Sequence, residues 1–414
     1  MKSLRYKLIR TGLCGYIIII LYNGIIKHIG LQIGVIETIR PYLPELFLLV
    51  YFIGWLISKK SYRKKPVYLS MWLIVVFFIS LINVPNLLSM LSAFRDLLEP
   101  CFFLITLSTI NLSEYEKTKL IKALERIFVI FVFVGIYFAI IQRVNGSQWT
   151  SIYFAGHPIW GVDTESGLRI SSGSFGFKVL GTTASAETFG FYNMLALILI
   201  LFSKKKSALK IVIIVFSFIN MYLSGMKTAL LVAILVLYIY LMNRHCKTAK
   251  MLIKAGSLVL LIGVFYYMVF VLNDWEDSSF YARIVLWKSL LSKENLINLF
   301  FPMNMFYYSA KAGNTGIISF WDNSYFYFMF STGILGLILL ISNIRERLRT
   351  LRRLNQDSIN CGSMIILSIA LSSISTCLFL GRNYIAIAII IICIQSSFRQ
   401  VNNELGFNRS LGNL

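Results

Sequence analysis

Charge is scarce in this 414-residue chain and lopsided in sign: 14% of residues are charged, with 18 acids against 40 Lys and Arg. With 57% apolar residues, 32 Phe and a mean hydropathy of +0.73, so little charge cannot cover the apolar surface. That excludes a single water-soluble core and puts the chain in a bilayer. Histidine is nearly missing, and His157 has no partner histidine at ligand spacing, which disfavours a histidine metal site. The six cysteines form no framework. Cys14, Cys101, Cys361, Cys377 and Cys393 lie in apolar runs and Cys246 lies in a basic loop, so no disulfide is expected. No small-residue cleavage site follows the basic start Lys2 to Arg10 and the apolar run Leu13 to Ile26, so the first run reads as an uncleaved helix. Internal repeats, low-complexity tracts and a detachable soluble domain are also lacking.

What is present is a series of long apolar runs. On a window of roughly twenty residues they give about twelve spans. These lie at 11–29, 41–58, 66–84, 88–110, 126–143, 186–203, 209–224, 227–243, 254–272, 322–342, 361–380 and 383–398. Runs of this length are helices and not the alternating, roughly ten-residue strands of an outer-membrane barrel. The expected fold is all-α: a polytopic membrane protein forming one integral domain over residues 1–414.

More than two-thirds of the 40 Lys and Arg fall in one alternating set of interhelical segments, and two-thirds of the 18 acids fall in the other. The basic clusters SKKSYRKK, SKKKSALK, NRHCKTAK and NIRERLRTLRR share a side with the amino terminus, and the positive-inside bias makes that side cytoplasmic. The +22 charge is therefore a set of short clamps and not a nucleic-acid patch. Both termini are expected inside, with two long extracytoplasmic loops over 144–184 and 273–321. Within the second, Ser279 to Leu299 fits a helix lying along the membrane surface.

Several residues in these segments could carry chemistry. Arg169 precedes a Gly/Ser-rich stretch that runs into the span at 186–203; it could fork onto a phosphate while backbone N–H groups close around it, or be an ordinary interfacial arginine. The hairpin MYLSGMKTALL puts Ser224, Lys227 and Thr228 at a membrane boundary, where Lys227 could hold a lipid headgroup or simply snorkel. Arg283 stands four residues before Trp287, and Asp322 and Asn323 open the span at 322–342. A partly desolvated carboxylate at Asp322 suits a general base, with helix capping as the competing role. Asp274, Glu276 and Asp277 read either as a hard-cation site or as the solvated acidic end of a loop. Arg95 and Glu99 are one helical turn apart and can neutralise each other. Arg382, beside Asn383 in the last outer turn, could add a third cation.

The order of these pieces resembles the bacterial O-antigen polymerase and O-antigen ligase superfamily. The resemblance rests on Arg169 with Gly173 and Phe175, the Ser224/Lys227/Thr228 hairpin, the Arg283/Trp287 helix, and Asp322-Asn323 followed by Gly-Ile-Leu-Gly, and it covers roughly Gly167 to Leu340. It implies a GT-C-like integral membrane glycosyltransferase acting on undecaprenyl-pyrophosphate-linked sugars at the outer face of the bacterial cytoplasmic membrane. It implies neither a nucleotide-sugar donor, a cofactor nor an obligatory metal. A flippase and a chain-length regulator are the implied partners, alongside membrane lipid.

In that reading Arg169 and Arg283 stabilise the departing diphosphate and Asp322 takes the acceptor proton, while Lys227, Asn323, Ser224, Thr228, Trp287 and Arg382 bind substrate. Family members carry Arg where this chain has Lys227, which keeps the charge but loses the bidentate fork. Ligases carry His where this chain has Asp322, which favours a polymerase over a ligase. The Gly-x-Gly that usually follows the Arg/Trp helix is replaced by LFFPMNMFYYSA. Transport of the same lipid-linked sugars is the alternative from another class. It would call for cations lining a transmembrane cavity, or for ionisable or Gly/Pro-broken segments near mid-membrane.

Overall fold

The computed structural model describes residues 2–58, 64–82, 94–145, 178–183, 185–203, 205, 207–244, 284–285, 287–288, 300, 302, 323–354, 360–375, 378 and 384–396. Regular structure among them is helical throughout, with no strand. In chain order the helices are α1 (Lys2–Leu21), α2 (Asn23–Gln32), α3 (Gly34–Ile39), α4 (Leu43–Leu56), α5 (Lys64–Leu81), α6 (Glu99–Thr109), α7 (Glu114–Asn145), α8 (Ala186–Leu201), α9 (Ser207–Leu223), α10 (Lys227–Arg244), α11 (Ser324–Leu354), α12 (Cys361–Ser375) and α13 (Tyr384–Ser396). A tight turn, Arg40–Tyr42, joins α3 to α4, and a widened π-turn, Phe94–Leu98, leads into α6.

Three stretches are long and apolar enough to cross a membrane: Gly34–Leu56, Glu114–Val144 and Ser324–Leu351. Several shorter apolar helices, among them α5, α8, α9, α10, α12 and α13, pack with them. The outward faces identify the surrounding solvent. Leu46, Leu49, Ile53 and Leu56 on α4, Ile130, Phe133, Tyr137 and Ile140 on α7, and Ile211, Val215, Ile219 and Tyr222 on α9 are exposed at helical spacing. Apolar stripes of that extent suit lipid and not water. The interior holds the other face of each helix, and α8 and α13 are buried almost all round.

Glycines let α1 and α4 approach closely. A Cβ on Gly12 would lie 2.5 Å from the Tyr51 amide nitrogen, and one on Gly15 would collide with the Phe47 ring. Polar contacts then tie α4 to α6: the Tyr51 hydroxyl donates to Thr106 Oγ1 at 2.7 Å, and Trp55 Nε1 to Thr109 Oγ1 at 3.1 Å.

Helix boundaries depart from the apolar runs where polar chemistry intervenes. The run at 126–143 sits inside the 32-residue α7, which starts at Glu114 because Ser113 and Glu116 form a capping box. The Ser113 amide donates to Glu116 Oε2 at 2.8 Å, and the Glu116 amide donates back to Ser113 Oγ at 3.3 Å. Arg5 Nη2 adds bonds to both Glu116 oxygens, at 2.8 and 2.9 Å, tying the start of α1 to the start of α7. We call this end of the bundle proximal and the end where α1 finishes distal. The run at 11–29 does not form one helix: α1 stops at Leu21 and α2 begins at Asn23.

Helix α11 is broken at Gly333, whose φ of 77° and ψ of 165° are not helical. The carbonyl of Thr332 is taken up by Trp72 Nε1 from α5 at 2.8 Å. A Cβ on Gly333 would lie 2.7 Å from the Phe300 carbonyl oxygen. The span expected at 254–272, the extracytoplasmic surface helix apart from Ile284, Val285, Trp287 and Lys288, and the acids Asp274, Glu276 and Asp277 lie outside the described residues.

Candidate functional site

The distal end is organised by a short inserted segment, Lys178 to Ser185, which is the closing part of the first long loop. Gly181 takes a left-handed φ of 56°, which an L side chain avoids, and turns the chain inward. The amides of Leu180 and Gly181 both donate to Gln142 Oε1 at 2.9 Å, and Gln142 Nε2 donates to the Gly181 carbonyl at 2.9 Å. The Val179 amide donates to the Leu223 carbonyl at 3.1 Å, and the Thr183 amide to the Leu180 carbonyl at 3.1 Å.

Thr182 explains why α1 ends at Leu21. Its hydroxyl donates to the Leu21 carbonyl at 2.9 Å, while its own carbonyl accepts from the Gly24 amide at 3.0 Å. Backbone groups that the end of one helix and the start of the next leave over are therefore satisfied by the insert. Ser185 then caps α8 by accepting from the Thr188 amide. Val179, Thr182 and Thr183 are buried.

These bonds bear on the anion cradle expected of the stretch after Arg169. Its described part uses the amides of Val179, Leu180, Gly181 and Thr183 inside the protein. An anion near this insert would have to be met by side chains.

Two such side chains belong to segments that meet at one turn. Lys178 is exposed, and its alkyl chain lies over Gly225, where a Cβ would sit 2.9 Å from Lys178 Cγ and 3.2 Å from Cε. Gly225, at φ 67°, is the turn of the Ser224/Lys227/Thr228 hairpin between α9 and α10, and Lys227 is exposed two residues on. Lysines from two distant parts of the sequence thus stand at one hairpin turn. Ser224 faces inward: it is fully buried, its hydroxyl donates to the Met221 carbonyl at 2.7 Å, and Gly190 of α8 packs against it. Thr228 is half-buried at the start of α10. Beneath the hairpin, Asn220 Nδ2 donates to Asn193 Oδ1 at 2.9 Å, and Asn193 Nδ2 to the Phe189 carbonyl at 2.8 Å, locking α9 to α8.

A second distal group sits at the start of α11. Asn323 Oδ1 accepts from the amides of Tyr325 and Phe326, at 2.9 and 3.1 Å, so the capping role weighed for Asp322 is filled by Asn323. Ser324 Oγ accepts from the Leu378 amide at 2.8 Å, fixing the loop after α12. Trp287 packs edge-on against Phe326 with centroids 5.7 Å apart. Rings of α13 and α8 pack together, with Tyr384 stacked on Tyr192 at 6.3 Å and tilted on Phe191 at 5.2 Å.

Arg169, Gly173, Phe175, Arg283, Asp322 and Arg382 lie outside the described residues. The structure thus gathers Ser224, Lys227 and Thr228 with the unanticipated Lys178, and separately joins Asn323 to Trp287. Lys178 is adjacent in sequence to the apolar Val179-Leu180 pair that plunges into the bundle, which is the signal that could have marked it. Among the described residues, no three His, Cys, Asp or Glu side chains gather as metal ligands. No family model matches this chain, and no curated protein matches its sequence.

Proposed function

We propose that this chain is a membrane glycosyltransferase that joins undecaprenyl-pyrophosphate-linked oligosaccharide repeats into an O-antigen, capsular or exopolysaccharide chain. The distal end faces outward from the bacterial cytoplasmic membrane, both termini are cytoplasmic, and about twelve spans make up the GT-C-like domain. The observation that carries this reading is the packing of the Lys178 side chain over Gly225, the turn that stands two residues before Lys227. Lysines from two segments that meet at one turn of a membrane boundary favour a multivalent anion there, and a lipid diphosphate has that chemistry.

In the reaction the acceptor hydroxyl oxygen attacks the anomeric carbon of the donor sugar, whose bond to the diphosphate oxygen breaks. The electron pair leaves with undecaprenyl pyrophosphate, and the hydroxyl proton passes to the Asp322 carboxylate, with inversion at carbon. Arg169 and Arg283, with Lys178 and Lys227, stabilise the charge developing on the leaving group. Trp287, Asn323, Thr228 and Arg382 border the sugar-binding region. A flippase supplies the donor, and a chain-length regulator acts on the product.

The test is incubation of the purified protein, in lipid nanodiscs, with a synthetic undecaprenyl-pyrophosphate oligosaccharide. A ladder of longer lipid-linked products is expected, lost in Asp322→Asn. Transfer only to an acceptor without a lipid would indicate a ligase.

Transport of lipid-linked sugars is favoured by one different observation, the break of α11 at Gly333, since interrupted helices serve transporters. Movement of the oligosaccharide across a vesicle with no new glycosidic bond would select it.

A further inference from the structure

The break in α11 is filled from outside the helix. Gly333, at φ 77° and ψ 165°, holds a conformation that only glycine takes without strain. The space beside it is occupied: a Cβ there would lie 2.7 Å from the Phe300 carbonyl oxygen and 3.0 Å from Pro302 Cδ. Gly336 clears room for Trp72 of α5, since a Cβ there would come within 3.0 Å of the indole Nε1 that donates to the Thr332 carbonyl. Both glycines of Gly-Ile-Leu-Gly are thereby used, one for a visiting backbone and one for an indole.

Depth gives this contact its meaning. Gly333 stands nine residues after Ser324, the first residue of α11, which is about 14 Å along the helix at 1.5 Å per residue. The hydrocarbon core of a bilayer is about 30 Å thick, so Phe300 and Pro302 meet α11 well inside it. Their own chemistry suits that depth. Phe300 is 55% exposed, and just beyond the break Leu335 and Ile338 of α11 are exposed at 43% and 56%. A phenyl ring left open at the level of such side chains is solvated by acyl chains and not by water. Pro302 is buried and carries no N–H, so it brings no donor that hydrocarbon would leave unpaired. Trp287, from earlier in the same loop, meets α11 nearer its start, on Phe326, seven residues or about 10 Å before Gly333.

We infer that the α11 break is a socket at which the second long loop re-enters the membrane, with Phe300 and Pro302 as its occupants. The loop is thereby tethered to α11 at two depths, through Trp287 at Phe326 and through Phe300 and Pro302 at Gly333. Helical dihedrals at Gly333 would realign the Thr332 carbonyl with the helix axis and close the opening that Trp72, Phe300 and Pro302 share. Docking of the loop and breaking of the helix are therefore one two-state element. It serves a transferase and a transporter alike, so it does not depend on the glycosyl-transfer reading.

The experiment is fluorine NMR of the full chain in nanodiscs, with trifluoromethyl-phenylalanine in place of Phe300. The resonance is expected to broaden with lipids that carry a nitroxide at the acyl-chain end and to stay sharp with an aqueous gadolinium chelate. Broadening by the chelate, or by neither agent, overturns the re-entry. Gly333→Ala, which favours a continuous helix, should expel the label and let the chelate broaden it. A folded Gly333→Ala protein whose label stays as protected as in wild type overturns the coupling. Where that variant does not fold, Trp72→Phe, which removes the donor to Thr332 and keeps a ring, is read in its place. Increased broadening by the chelate is then expected, and unchanged broadening overturns the coupling.

Discussion

Gln142 and Gly181 bond to each other in both directions: the side-chain amide nitrogen donates to the Gly181 carbonyl at 2.9 Å, and the side-chain oxygen accepts from the Gly181 amide at 2.9 Å. Through that pair the end of α7 holds the inserted segment that carries Lys178. Gln142→Leu leaves the Gly181 carbonyl and the amides of Leu180 and Gly181 buried and unpaired, at roughly 1–3 kcal/mol for each group. A clear fall in the thermal midpoint in detergent is expected. Gln142→Glu, which keeps the acceptor, should recover part of it.

Gly181 and Gly225 both have positive φ, but their surroundings differ. A Cβ at Gly181 would strike the Phe189 ring, itself held by Phe131 at 5.9 Å, whereas at Gly225 it would meet the flexible Lys178 side chain. Gly181→Ala should abolish recovery of folded, monodisperse protein. Gly225→Ala should cost only about 1–2 kcal/mol of backbone strain, measured as a modest shift in thermal midpoint.

Capping and catalysis separate at the start of α11. Asn323→Ala removes the acceptor for the Tyr325 and Phe326 amides and should lower stability by about 1 kcal/mol. Asp322→Asn should leave the thermal midpoint in place and remove polymer formation. Equal stability losses in both variants would assign Asp322 to the cap as well.

The helical membrane architecture was legible because apolar length is a one-dimensional property, and the lipid-facing stripes on α4, α7 and α9 follow from it. Interruptions were less legible. Tyr22 lies within a continuous apolar run, and what stops α1 there is Thr182, far away in sequence. Gly333 sits in Gly-Ile-Leu-Gly, which is compatible with an unbroken helix until Trp72 and Phe300 are brought beside it. Ser113 and Glu116 did carry a capping signature, but a hydropathy window cannot see it.

At the site, sequence order exposed Lys227 but hid Lys178, since only folding carries one to the other. Preference rules allowed either Asp322 or Asn323 as a cap, and geometry was needed to choose. Glu99 was read against Arg95 from their spacing along one helix, and the Arg95 side chain lies outside the described residues.

The functional reading rests on the distal rim holding a lipid diphosphate, and native mass spectrometry of the protein with undecaprenyl pyrophosphate tests this most directly. Wild type should retain the lipid in preference to undecaprenyl monophosphate, and Lys178→Gln with Lys227→Gln should weaken retention by about tenfold or more for each charge-assisted contact removed. Unchanged binding in the folded double variant, or no preference for the diphosphate, would contradict it.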